Sequence, residues 1–113
     1  HLLTYWVRDR EKGERLGLEE AIRGLTHDTA RAVGLNDRGL LKSGYRADIN
    51  IIDFDQLTLL PPRVHYDLPA GGRRVHQGAL GYTATLVNGT VVQHNGEATG
   101  ALPGGLVRGA QAA

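Results

Sequence analysis

The sequence predicts an α+β chain: N-terminal helices, then a small mostly antiparallel β-sheet, then an extended Gly-rich tail. Three observations carry this. Apolar residues recur at helical spacing only before residue 38. A β-branched run, Ile49, Ile51 and Ile52, follows a Lys42-Ser43-Gly44 turn. Two Asn-Gly turns, Asn88-Gly89 and Asn95-Gly96, then punctuate alternating sequence.

Leu2, Leu3, Trp6 and Val7 mark the first helix, with Arg8-Asp9-Arg10-Glu11-Lys12 continuing as a solvated face and Gly13 and Gly17 closing it. Leu18, Ala21, Ile22 and Leu25 form one face of a second helix, whose Glu19 and Glu20 complement the dipole in its first turn. Thr26 is placed to cap a short third helix from Asp28 to Ala32, stopped by Gly34. After the turn Asn36-Asp37-Arg38-Gly39, Ala47 to Phe54 reads as a strand covered on at least one face. Asp48 and Asp53 flank it. Five positions apart, they fall on opposite faces of a regular strand and are expected to cap its ends.

Gln56 to Gly81 has little periodicity and contains Pro61-Pro62, Pro69 and Gly71-Gly72-Arg73-Arg74, so a long loop is expected there. Arg73 and Arg74 are candidate substrate-binding residues, since guanidinium groups beside a glycine pair can meet a carboxylate or phosphate. The pattern lacks the preceding strand and the Lys-Ser/Thr or third Gly of the nucleotide-binding loops. Tyr82 to Val87 and Thr90 to His94 form a hairpin on Asn88-Gly89. Glu97 to Ala113 is expected to run extended over another surface or to fray.

Composition narrows the function classes. With 41% hydrophobic and 22% charged residues, the chain is that of a globular protein. A formal net charge of +1 provides no field for nucleic acid or an anionic membrane. No run approaches the roughly 18 apolar residues of a membrane span, and no signal peptide is present, so a cytoplasmic location is expected. Without cysteine there is no disulfide, thiolate nucleophile or Cys-ligated zinc. His1, His27, His65, His76 and His94 fall at no short metal-binding spacing, and Ser43, the one serine, lies outside any nucleophile elbow. No catalytic and no metal-ligating residue is therefore assigned. Methionine is absent and Leu2 to Val7 reads as mid-domain sequence, so the chain is expected to have been processed, to belong to a longer one, or to have been expressed as a piece.

Leu25-Thr26-His27-Asp28-Thr29-Ala30-Arg31-Ala32-Val33-Gly34-Leu35, Asp37-Arg38-Gly39 and Gly44-Tyr45-Arg46-Ala47-Asp48-Ile49 together resemble the C-terminal region of the amidohydrolase superfamily. Asp67 to Arg74, Gly81 to Gly89 and Thr99 to Gly104 resemble its N-acyl-D-amino-acid deacylase (D-aminoacylase) branch. The resemblance implies a parent (β/α)8 barrel in which metal-bound hydroxide, usually on zinc, cleaves an N-acyl-D-amino acid. Residues 1–38 would then be C-terminal helices of the barrel, and residues 39–113 the C-terminal strands, long loop and tail of a small composite β domain. The family's metal ligands and catalytic Asp precede this region, so no metal is expected to be bound by this chain, which alone would be inactive. Its expected partners are the remainder of the parent enzyme, barrel and N-terminal strands, with self-association through open strand edges. The alternatives are a non-catalytic binding or assembly module of the same ancestry and the C-terminal part of a hydantoinase-like cyclic amidohydrolase.

Overall fold

A computed structural model describes residues His1–Ala113 and shows the α+β order expected. A π-helical segment, Leu2–Asp9, is followed by α1 (Leu18–Leu25) and α2 (His27–Ala32). Then come β1 (Ile49–Ile52), β2 (Thr58–Leu59), β3 (Arg63–Leu68), β4 (Gly72–His76), β5 (Ala79–Leu80), β6 (Tyr82–Val87), β7 (Thr90–His94) and β8 (Glu97–Ala98). No helix is long and apolar enough to cross a membrane.

α1 forms where the apolar spacing placed it. Gly17 enters it in extended conformation, Glu19 and Glu20 occupy its first turn, and Ala21 is its one buried residue. Thr26 does not cap α2. Its hydroxyl donates backward to Ile22 O at 2.7 Å, so it closes the end of α1 and α2 starts without a side-chain cap. The first helix also departs from expectation. It is π-helical, ends at Asp9, and turns Arg8 away from the solvated face. The Arg8 guanidinium donates to Phe54 O at 2.6 Å, Asp55 O at 3.3 Å and Leu57 O at 2.8 Å. A planar fork of five donors can satisfy several loop carbonyls together, which accounts for this capture.

The main sheet has the antiparallel order β1-β6-β7-β8. Its turns follow from sequence: Asn88 and Gly89 have φ of 50° and 79°, as a type I′ turn requires, and Asn95 and Gly96 repeat the pattern at 49° and 83°. β1 is shorter than the Ala47 to Phe54 run because both flanking aspartates cap turns. Asp48 accepts from Asn88 N at 2.9 Å, and Asp53 accepts from Gln56 N at 3.3 Å. The strand-end role expected of them is what the structure shows.

Gln56 to Gly81 is not a loop. β2 pairs with β5, and beyond them β3 and β4 form a separate two-stranded antiparallel ribbon. Arg63-Val64-His65-Tyr66-Asp67-Leu68 alternates polar and apolar residues, and Pro61-Pro62 and Pro69 lie outside the strands, where a missing N–H is harmless. The tail is extended and returns to the end of α2, where Gln111 N donates to Gly34 O and Asn36 N donates to Gln111 O.

Very little is buried. Only Ala21, Leu57 and Ala84 fall in the core, while Leu41, Tyr66 and Val75 are 86%, 70% and 72% exposed. The radius of gyration is 16.3 Å, against about 13 Å for a compact domain of this length. The helices and strands are thus an open arrangement with no single core.

The close approach of Gly81 to Leu57 is one of its few tight points. A Cβ at Gly81 would lie 2.6 Å from Leu57 Cα, at a φ of +97°. Gly81→Ala is expected to lower unfolding free energy by at least about 1 kcal/mol, measured by urea denaturation. Gly105→Ala, in open space, should stay within about 0.5 kcal/mol.

Candidate functional site

The β3–β4 ribbon carries both arginines singled out in the sequence and gives them different surroundings. Arg63 stands opposite His76, Val64 opposite Val75, and His65 opposite Arg74. Directly opposed residues share a face, and alternation completes the assignment. One face holds Arg63, His65, Arg74 and His76; the other holds Val64, Tyr66, Val75 and Arg73. The two arginines therefore point to opposite sides.

Arg74 is committed. Its Nε and Nη2 donate to the two oxygens of Asp67 at 2.7 and 2.6 Å, a bidentate pair that staples the strands across the Pro69–Gly71 turn. Hydrogen bonding to Arg74 holds the Asp67 carboxyl at about 2, against an opposing desolvation effect. Arg73 makes no side-chain hydrogen bond or ion pair and sits among exposed apolar side chains. Of the two, it alone has a free guanidinium. Nothing in the sequence spacing separates them; what would have done so is the Asp67 partner across the turn.

On the polar face, the His65 and His76 rings meet edge to face with centroids 5.3 Å apart. They are 11 positions apart in sequence, and only the ribbon register joins them. No group of three or more His, Asp or Glu side chains converges as a metal site. The residues of this chain therefore do not make up a ligand set for the divalent ion that the family resemblance implies.

A second polar cluster lies between the helices and the sheet. Asp37 accepts from Arg38 at 3.0 Å and from Arg46 at 3.2 Å, and Arg38 reaches Asp48 at 3.8 Å. The Arg38 hydrogen bond, reinforced by Arg46, holds the Asp37 carboxyl below the usual aspartate range despite partial burial. The same pairing raises the Arg38 guanidinium. These charges satisfy one another, which suits an architectural role better than proton transfer at neutral pH. Above them, a cavity of about 700 Å³ opens between α1 and β1, lined by Glu19, Ile22, Arg23, Leu40 and Asn50 among others.

The Asp67–Arg74 staple has a pH signature. Because the folded carboxyl lies below its unfolded value, its stabilising contribution is full above the ordinary aspartate pKa and is lost as pH falls through about 2. Carboxyl-detected NMR should show Asp67 titrating near 2, and Arg74→Ala should return it toward the ordinary range. A wild-type midpoint near 4 would contradict the pairing.

The Amidohydrolase family profile matches residues 1–93. The imidazolonepropionase of Vibrio parahaemolyticus is 35% identical over 83 residues, which cover 73% of this chain and 17% of that protein. The imidazolonepropionase of a Ruegeria species is 40% identical over 53 residues, or 47% of this chain and 13% of that protein. The chain thus spans less than a fifth of the length of these curated relatives. No solved structure matches it. With the profile covering residues 1–93 of its 113, the chain belongs to the amidohydrolase family.

Proposed function

We propose that this chain is the C-terminal part of a metal-dependent amidohydrolase that cleaves the amide bond of N-acyl-D-amino acids, supplying framework and not catalytic groups. The observation that carries the amide-hydrolase reading is the family match over residues 1–93. The finer substrate reading is supported by the resemblance of Asp67 to Arg74, Gly81 to Gly89 and Thr99 to Gly104 to the D-aminoacylase branch. In this reading residues 1–38 are barrel helices and residues 39–113 belong to the small β domain. The rest of the parent, which carries the zinc, covers the apolar side chains left open here. Arg73 meets the substrate carboxylate, while Arg74 holds the ribbon through Asp67.

A cyclic-amide substrate is the second reading, and the relatives' name, imidazolonepropionase, favours it. Assays of the full-length enzyme separate the two. Release of free D-amino acids from N-acetyl-D-amino acids, with their L-isomers left intact, is the expected result. Opening of cyclic amides without any such release would sink the deacylase assignment. On the expected substrate, Arg73→Ala should raise KM by about 10-fold, as loss of one charge-assisted hydrogen bond implies, with little change in kcat. An unchanged KM would remove Arg73 from the site. Expressed alone, the chain should associate as its concentration rises, read by sedimentation; a monomer throughout would show that its open strand edges and apolar faces need no partner.

A further inference from the structure

Beyond the amide chemistry, and independent of it, we infer that Asn95 is a site of spontaneous covalent modification. Its side chain closes on the Gly96 nitrogen to a succinimide, which opens to aspartate or isoaspartate. Asn88 sits in the same dipeptide and the same kind of turn, yet the segment leading into β1 restrains it. Asparagine followed by glycine favours this closure, because glycine has no side chain to hinder its own nitrogen. The chain carries that pair twice. Asn88 and Asn95 have φ of 50° and 49°, their glycines 79° and 83°, and all four residues are exposed. Backbone shape and access are therefore matched.

The attacking nitrogens are not matched. Gly89 N donates to Ala47 O at 2.9 Å, and Asn88 N donates to Asp48 at 2.9 Å, so both amides of that turn are held. A nitrogen that must attack has first to leave its acceptor. Gly96 N has no acceptor. Beyond its chain neighbours, no atom lies within 4 Å of where a Gly96 Cβ would stand, so the peptide has room to turn. The strand that follows, β8, is only Glu97–Ala98 at the edge of the sheet, whereas the β6–β7 turn is backed by β1. So short an edge opens at low cost. The Asn95 carboxamide itself is held only by a long contact, 3.4 Å, with His94 Nδ1.

In the first step Gly96 N gives its proton to solvent and bonds to Asn95 Cγ. The Cγ–Nδ2 bond breaks, and the nitrogen leaves as ammonia with a proton taken from solvent. Water then opens the ring. Cleavage between Cγ and the ring nitrogen gives aspartate, and cleavage at the backbone carbonyl gives isoaspartate, whose main chain runs through Cγ. Neither step is a redox step. Both products place a new negative charge beside His94 and Glu97. Isoaspartate also lengthens the backbone between the paired residues His94 and Glu97, so the two-residue β7–β8 ladder loses its register.

The test is incubation of the 113-residue chain in neutral buffer and, in parallel, in concentrated urea. Peptide mapping by mass spectrometry follows loss of the amide at each asparagine, and enzymatic methyl labelling reports isoaspartate. In urea the two sites should convert at similar rates. In buffer Asn95 should convert faster than Asn88 by about 10-fold, as the cost of breaking one backbone hydrogen bond implies. Hydrogen exchange should find the Gly89 amide protected and the Gly96 amide open. Asn95→Gln should remove most of the isoaspartate label formed in buffer. Equal rates in buffer, a faster Asn88, or no conversion at either site while both react in urea would overturn the proposal.

Discussion

Asp48 is the point through which the two halves of this chain are joined. Its carboxylate faces Arg38, in the turn that follows the helices, and accepts the backbone N–H of Asn88, in the turn between β6 and β7. Next to it, Ala47 O accepts from Gly89 N, and Asp37 O accepts from Arg46 N at 2.8 Å. Arg8 makes the second tie, from the N-terminal segment to the carbonyls after β1. Such ties matter here because burial is so slight. Fully burying one large apolar side chain contributes about 1.5–3 kcal/mol, and Leu57 is the largest of three buried residues. Polar bridges, and not a core, define how helices and sheet meet.

That balance supports the proposed reading, in which amide hydrolysis belongs to a larger protein and framework duty to this segment. Ordering each residue costs about 1–2 kcal/mol of backbone entropy, which an open arrangement cannot offset from its own apolar contacts. Leu41, Tyr66 and Val75 stay exposed. The ribbon shows the same division locally. Its polar face is internally satisfied by the Asp67–Arg74 staple, while its apolar face presents Arg73 to whatever lies against it. A two-stranded ribbon is marginal by itself, and here the bidentate pair reinforces its backbone ladder.

Much of the fold was legible. α1, β1, the Asn88-Gly89 hairpin and the cap roles of Asp48 and Asp53 all followed from spacing and turn chemistry. The ribbon was missed because Pro61-Pro62, Pro69 and the glycines drew the reading toward a loop, although Arg63 to Leu68 alternates cleanly. The role of Thr26 was not legible, for a different reason. A hydroxyl between two helices can serve the carbonyl behind it or the amides ahead, and sequence does not rank these. As for sites, the candidate pair Arg73 and Arg74 was visible as two adjacent charges, but their opposite faces and unequal partners were not.

The sequence by itself determined what depends on a residue and its near neighbours: where the backbone turns left-handed, where apolar residues line one helix, where a strand begins. These are set by local sterics and by period. Only the tertiary structure decided which acceptor each arginine takes. Arg8, Arg38, Arg46 and Arg74 found carbonyls and carboxylates from one to 49 positions away, while Arg31 and Arg73 found none. A guanidinium on a long flexible stem has no preferred partner in the chain's order. Its partner is whatever the fold places within reach.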